Sequence, residues 1–451
     1  MRTLLSLLAI FSLSMQTALA DPHKWVTSWV ASVQGPYPTG NPSAQPNMSM
    51  VFPTPQTGAR DQSFRLIVKP DIWGTKSRIR LSNALGTQPV TFADVYVGLQ
   101  LNSAEVVRGT NRALTFGGKK TVTVSPGDSV WSDAVELPFV NKANLHLLDG
   151  RKLAVSFYIP TTSGPMTWHA KALTTSYVTA PGAGSKTESE RETGFQYSTA
   201  SWFFLDAVDM QAHADTSVIV AFGDSITDGT ASTMNGDDRW PDVLSRRLHH
   251  EYGSKVVVLN AGIGGNQVAG PAQYSAAKPF AGGPSSVMRL ERDVLSLSGV
   301  STVIWLEGIN DFSKNGQAST EAVIEKMTDG VKRLRAAGIQ VIGATVVTAL
   351  GSTSPAHGFA QQDEKRKALN QFIRTSRLFS GYIDFDAVTL DPATGEMRPE
   401  FVPESTTGGP GDKLHPNRAG YHVMGDYIDL TLVAGTPPRK EPVPAVPSRK
   451  K

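Results

Sequence analysis

Cysteine is absent from all 451 residues. That removes disulfides, thiolate metal sites and cysteine nucleophiles together. An excess of either charge is also missing: 43 Lys+Arg against 40 Asp+Glu leave a formal net charge of +3. So small a charge gives no polyelectrolyte footprint, and nucleic acid is not an expected partner. Past residue 20 no apolar run is long enough to span a bilayer. No H-E-x-x-H or other metal-ligand spacing occurs, so neither a metal nor a cofactor is expected. What remains is ordinary globular composition, 40 % hydrophobic and 18 % charged, with 41 Gly and 29 Pro that suit a turn-rich protein.

The first residues read as an address. Met1-Arg2 is a short basic start, Leu4 to Leu19 is mostly apolar, and Ala18-Leu19-Ala20 is a small-x-small cleavage site. Residues 1–20 are therefore expected to be a signal peptide cleaved after Ala20, giving a secreted or periplasmic protein with no membrane anchor after cleavage. Residues 435–451, rich in Pro, Lys and Arg, are expected to be a disordered tail.

Two regions differ in rhythm. Over 21–160 the hydrophobic period is near two, as in Ser77-Arg78-Ile79-Arg80-Leu81-Ser82 and Leu153 to Ile159. Turn signals such as Pro126-Gly127-Asp128 separate the runs, which predicts an all-β sandwich domain. Residues 161–214 carry little periodic signal and read as a linker and junction segment. Residues 215–434 alternate strand, loop and helix: strands at 217–222, 255–261, 302–306, 340–347 and 382–385, helices at 238–252, 286–297, 320–337, 361–376 and 417–430. Five such βα units imply an α/β domain with a five-stranded parallel sheet covered on both faces. Functional residues in such sheets gather at the carboxyl ends of the strands.

Those ends are where the chemistry lies. The first strand runs into Gly223-Asp224-Ser225-Ile226, the second into Asn260 to Asn266, the third into Glu307-Gly308-Ile309-Asn310-Asp311. After the fifth comes a Gly/Pro-rich loop and then Asp412-Lys413-Leu414-His415. A serine hydroxyl needs a base within hydrogen-bond reach, and an imidazole base needs a carboxylate to fix its tautomer. Asp412 and His415 can supply both. The Ser225 amide, a Gly265 amide and the Asn310 side chain can converge as donors to an oxyanion. Rival motifs are broken: Thr227 stands where G-x-S-x-G needs glycine, and Gln267 where G-x-G-x-x-G does. His249-His250 reads as a solvated face and His422 as packing. Trp25, Trp29, Trp73 and Trp131 are candidates for a sugar-binding platform, against core or interface packing.

Gly223-Asp224-Ser225-Ile226, Gly265, Gly308-x-Asn310-Asp311 and Asp412-x-x-His415, in this order, resemble the four blocks of the SGNH (GDSL) hydrolases over 216–432. The layout resembles that of secreted bacterial esterases with an N-terminal β domain. The resemblance implies a flavodoxin-like α/β/α sandwich and metal-independent esterase chemistry. Ser225 would be the nucleophile, His415 the general base and Asp412 its orienting carboxylate. Ser225, Gly265 and Asn310 would form the oxyanion hole, with Gly264 competing with Gly265 for the second position. Asp224 and Asp311 would be structural. The expected function is a serine esterase for short-chain esters, O-acetyl groups on carbohydrate foremost, with a small-molecule or polysaccharide ester as substrate. Lysophospholipase, arylesterase or glycan O-acetyltransferase activity with the same triad stays open. So does a non-enzymatic role in which the β domain binds a glycan.

Overall fold

The computed structural model describes residues 22–141 and 143–436. The expected signal peptide and all but the first two residues of the expected tail lie outside the described residues.

Two antiparallel sheets form the N-terminal domain. One runs in the order His23–Val30, Leu205–His213, Lys76–Ser82, Ser129–Trp131. The other runs Tyr197–Thr199, Ser176–Val178, Arg60–Val68, Leu153–Thr162, Val90–Asn102, Glu105–Val106. Alternation sends Phe64, Phe92 and Phe157 inward, where they meet Phe203 and Phe204 in a shared aromatic core. Phe64 and Phe157 stack with centroids 5.0 Å apart, and Phe92 meets Phe204 edge-on at 5.3 Å.

Segment 161–214 is not a linker. It adds a strand to the middle of the first sheet, two strands to the edge of the second, and the small pair Trp168–His169 with Trp202–Phe203. These strands are mostly two or three residues long, too short for a period-two signal to emerge. The β domain therefore extends to His213.

Four residues later the parallel sheet begins. Its strands are Ser217–Gly223, Val256–Gly262, Val300–Leu306, Gln340–Ala344 and Gly381–Ile383. Their spatial order is second, first, third, fourth, fifth, the flavodoxin-like order, whose switch point lies beside the first strand. Gly223 pairs with Gly262 on one side and Leu306 on the other, so three carboxyl ends lie level. The helix Trp240–Tyr252 buries Trp240, Val243, Leu244, Leu248 and Tyr252, an apolar stripe at helical spacing, against one face of the sheet.

Two expected helices differ in detail. Ser286–Leu290 is α-helical, but the next turn, Glu291–Leu295, widens so that Ser296 N–H donates to Glu291 O. The last helix breaks after Arg418–Tyr427 and restarts as Leu430–Ala434 with Asp429 as its cap.

The two domains share a core. Val26, Val30, Ile72, Ala207 and Ala212 of the β domain belong to the same buried cluster as Val218, Val220, Val257 and Leu259 of the parallel sheet. Polar contacts reinforce this seam. Thr27 N–H donates to Ser298 O at 3.0 Å, and Arg80 pairs with Asp206 while also donating to Ser296 Oγ. His249, expected in solvent, instead sits 3.1 Å from Asp71 of the β domain. His422, expected to pack, is exposed and pairs with Asp426 at 2.8 Å. Of the four tryptophans, Trp29 and Trp73 are buried, while Trp25 and Trp131 bracket the Arg78 guanidinium at 4.8 and 4.6 Å. One face of each of these two rings is engaged within the protein.

Candidate active site

The first strand stops at Gly223 and a four-residue helix, Ser225–Asp228, starts at once. Asp224 caps it, its carboxylate accepting from Ile226 N–H at 2.9 Å. The cap holds Ser225 at the mouth of the sheet. His415 arrives from the far end of the sequence, and its Nε2 lies 2.8 Å from Ser225 Oγ. Its Nδ1 lies 2.6 Å from Asp412 Oδ2. A carboxylate only accepts, so Nδ1 carries the proton and Nε2 is free to accept the serine O–H.

Asp412 is itself fixed. Its Oδ1 accepts the backbone N–H of Leu414 and of His415, each at 2.9 Å. Its own carbonyl accepts from Ser352 Oγ at 2.7 Å and Thr353 N–H at 3.1 Å. Burial pushes the Asp412 carboxyl up, but the hydrogen bonds and charge of His415, with the two amides, outweigh it and hold the group well below the usual carboxylate range. The third member is thus an anion wherever the protein is folded near neutrality.

Gly265 and Asn310 stand at the two flanking strand ends. Gly265 has φ +83, a conformation open to glycine. Asn310 is buried, and its Nδ2 donates to Asn266 O at 3.0 Å and reaches Asp224 Oδ2 at 3.4 Å. These contacts tie the third strand end to the residue before Ser225. Asp311 accepts from Val268 and Ala269 N–H at 2.9 and 2.8 Å and so pins the loop that follows Gly265.

Two residues of the α/β domain at the site, Arg289 and His357, carry no local signal in the sequence. Arg289 is fully enclosed beneath the strand ends. It donates to Gly223 O, Ala261 O and Asn266 Oδ1, pairs with Asp293, and stacks over Phe222 at 3.9 Å. Asp224, Glu307 and Asp311 are three buried carboxyls in the same region. Burial raises Asp224 well above its ordinary value, and the neighbouring acids add to it, against the Ile226 amide. His357 lies near His415. Burial, with repulsion from His415, lowers it to about 4 against the pull of Asp412, so it is neutral at pH 7.

The β domain also reaches the site. Asn41 donates to Gly264 O, and His169 meets Asp228. Lys171 is almost fully buried beside Gly264, where a Cβ would lie 3.1 Å from its Nζ. Burial lowers the Lys171 ammonium, while Asp228, Asp412 and Glu404 counter that and Arg239 adds to it. A marker for such residues would have to link positions from 59 to 223 residues apart.

Fold and site together define a class: a doubly wound α/β domain with a Ser–His–Asp constellation at its switch point. Residues 221–423 match the model of the GDSL-like lipase/acylhydrolase family. That span is nearly the whole α/β domain, which belongs to this family. No curated protein matches the chain. Solved structures do, over about half of it. An aryl esterase from M. smegmatis is 17 % identical, covering 47 % of this chain and 95 % of that one, with a TM-score of 0.36. A lipase/acylhydrolase from Enterococcus faecalis is 23 % identical, covering 47 % and 93 %, with a TM-score of 0.35. A carbohydrate acetylesterase from Sinorhizobium meliloti is 16 % identical, covering 47 % and 95 %, with a TM-score of 0.33.

Proposed function

We propose that the protein is a secreted serine esterase that hydrolyses short-chain carboxylic esters, O-acetyl groups on carbohydrate foremost, through an acyl-enzyme on Ser225. The observation that carries this reading is the continuous chain from Ser225 Oγ to His415 Nε2 at 2.8 Å and from His415 Nδ1 to Asp412 at 2.6 Å. Secretion rests on the signal-peptide pattern of residues 1–20.

In the first half-reaction Ser225 Oγ attacks the ester carbonyl while His415 Nε2 takes its proton. The carbonyl oxygen becomes an oxyanion, received by the Ser225 and Gly265 amides and the Asn310 side chain. Collapse of the tetrahedral adduct breaks the bond to the alcohol oxygen, which takes the proton from His415. Water, deprotonated by His415, then attacks the acyl-enzyme and releases the acid. Asp412 stays ionised throughout and stabilises the imidazolium.

A short acyl group fits the surroundings. Among the described residues the large exposed apolar side chains are Met50, Leu101, Leu145, Leu147, Met288, Tyr382 and Tyr427. None lies on the loops at 223–229, 260–285, 307–313 or 402–415 that frame Ser225, so no apolar lid covers a long chain. The loop after Gly265 is tied down instead. Tyr274 Oη donates to Gly35 O, Gln34 Nε2 donates to Ala281 O, and Asn266 Nδ2 donates to Gly282 O and Pro284 O.

The test is initial rates on p-nitrophenyl esters of increasing acyl length for the wild type and Ser225→Ala, followed by acetate release from acetylated xylan. Rapid cleavage of the acetate that falls with chain length and disappears in the variant is expected. A folded wild type that cleaves no ester would remove the hydrolase reading and turn attention to acyl transfer onto glycans.

A further inference from the structure

Gly264 is held through both of its peptide units, and the grip on the peptide that joins it to Gly265 comes from the other domain. Gly264 N–H donates to Asp228 Oδ2 at 2.9 Å. The Gly264 carbonyl accepts from Asn41 Nδ2 at 2.7 Å. A carbonyl oxygen only accepts, so the amide nitrogen of Asn41 must face it. That carbonyl lies in the same peptide plane as the Gly265 N–H, and across a trans peptide the two point in opposite directions. Fixing the carbonyl therefore fixes the aim of the N–H. Loading the carbonyl with a hydrogen bond also polarises the amide and makes its N–H a better donor. Among the described residues the Gly265 N–H donates to no protein atom. A Cβ at Gly265 would lie 2.5 Å from Asn41 Nδ2, so the asparagine is seated directly on this glycine.

We propose that Asn41 is a positioning residue of the esterase: it holds the Gly264–Gly265 peptide so that the Gly265 N–H points at the oxyanion formed on Ser225. The β domain is then part of the reaction machinery. This rests on the reading of Ser225 as nucleophile and Gly265 as oxyanion donor.

The competing role for Asn41 is adhesion between domains. Other cross-domain bonds serve that purpose without touching the peptide, such as Ser298 Oγ to Asp209 Oδ2 at 2.8 Å. Adhesion and aim differ in what they move. Adhesion changes thermal stability. Aim changes kcat and the affinity for a tetrahedral adduct, and leaves KM alone.

The experiment compares full-chain Asn41→Ala, Asn41→Asp, Ser298→Ala and Ser225→Ala with the wild type. Each is assayed on p-nitrophenyl acetate and titrated with a trifluoromethyl ketone, whose hemiketal oxyanion occupies the same place. Both Asn41 variants are expected to lose roughly tenfold or more in kcat, short of the 10²–10³ lost when a donor is deleted outright. Affinity for the ketone should weaken in step, with KM unchanged, and Ser298→Ala should show neither effect. Folded Asn41 variants with wild-type kcat and ketone affinity would overturn the proposal. In the wild type, which needs no variant to fold, the Gly265 amide proton should move strongly downfield on forming the ketone adduct. An unmoved resonance would overturn it as well. Should Ser225→Ala keep the activity, the nucleophile reading has failed and the role of Asn41 with it. Should Ser225→Ala be inactive while the Asn41 variants match the wild type, only the role of Asn41 has failed.

Discussion

His169 Nε2 and Asp228 Oδ1 lie 3.2 Å apart across the domain boundary, with both side chains almost wholly enclosed. The other ring nitrogen of His169 faces Ser32 O at 2.7 Å, and Nε2 also meets Lys171 O at 3.0 Å. Every partner of the ring is an acceptor. Asp228 in turn holds Gly264 N–H, so one side chain of the β domain supports the second strand end through the short helix that carries Ser225.

Removing that ring should be felt by the whole molecule. His169→Ala leaves a buried carboxylate oxygen and two carbonyls short of a donor, at a cost of about 1–3 kcal/mol. Denaturant unfolding of the variant against the wild type measures it. Equal midpoints and slopes would show that the contact carries no stability.

Asp412→Asn should fold and fail to turn over. The amide that replaces the carboxylate can present N–H to His415 Nδ1, which forces the proton onto Nε2 and leaves nothing to accept from Ser225. A loss in kcat on the order of 10⁴ is expected, as for other triads deprived of the carboxylate. A variant within tenfold of wild type would mean that Asp412 does not set the tautomer.

Asp311 gives the stability a slope with pH. Burial raises its carboxyl to about 7, helped by Glu307 and opposed by the Val268 and Ala269 amides, whereas the ordinary value is 3.8. Below about pH 4 the group is protonated in both folded and unfolded chains, and its contribution is complete. As pH rises from there the unfolded chain releases the proton first, so the contribution is lost by about pH 7. The melting-temperature advantage of wild type over Asp311→Asn should therefore shrink across that window and level off above it. A constant difference would place the carboxyl at its ordinary value.

The shared core predicts one unfolding event. Val26, Val30, Ala207 and Ala212 pack into the cluster that also holds Val218 and Val257, so neither domain can lose its fold without uncovering the other. Calorimetry of the intact chain should show a single transition, and residues 215–436 expressed alone should aggregate. Two separated transitions, or a soluble and well-folded fragment, would argue against this.

The sequence was most legible where function and fold coincide. Ser225, Gly265, Asn310, Asp412 and His415 each close a strand end or a loop whose residue types repeat a four-block pattern. The five parallel strands announce themselves as apolar runs because both faces are buried. Segment 161–214 reads as a linker because four of its five strands are two or three residues long and the partners lie far off: Ser176–Val178 pairs with Arg60–Val68, and Leu205–His213 with Lys76–Ser82. The rim of the site was legible only in part. Asn41 sits in a Pro- and Gly-rich stretch, and Arg289 looks like any charged residue on a short helix. Their meaning comes from what the tertiary fold sets against them, which periodicity does not carry.

The first strand of the β domain, His23–Val30, pairs with its last, His23 opposite His213 and Val30 opposite Ala207. Almost all of that domain must therefore be synthesised before its sheet can close, and the first strand of the parallel sheet follows within a few residues. Contacts this distant in sequence make folding slow. Until the ribosome has passed residue 213, the early strand has an open edge that invites pairing with other chains. The arrangement predicts that slower synthesis or lower temperature raises the soluble fraction.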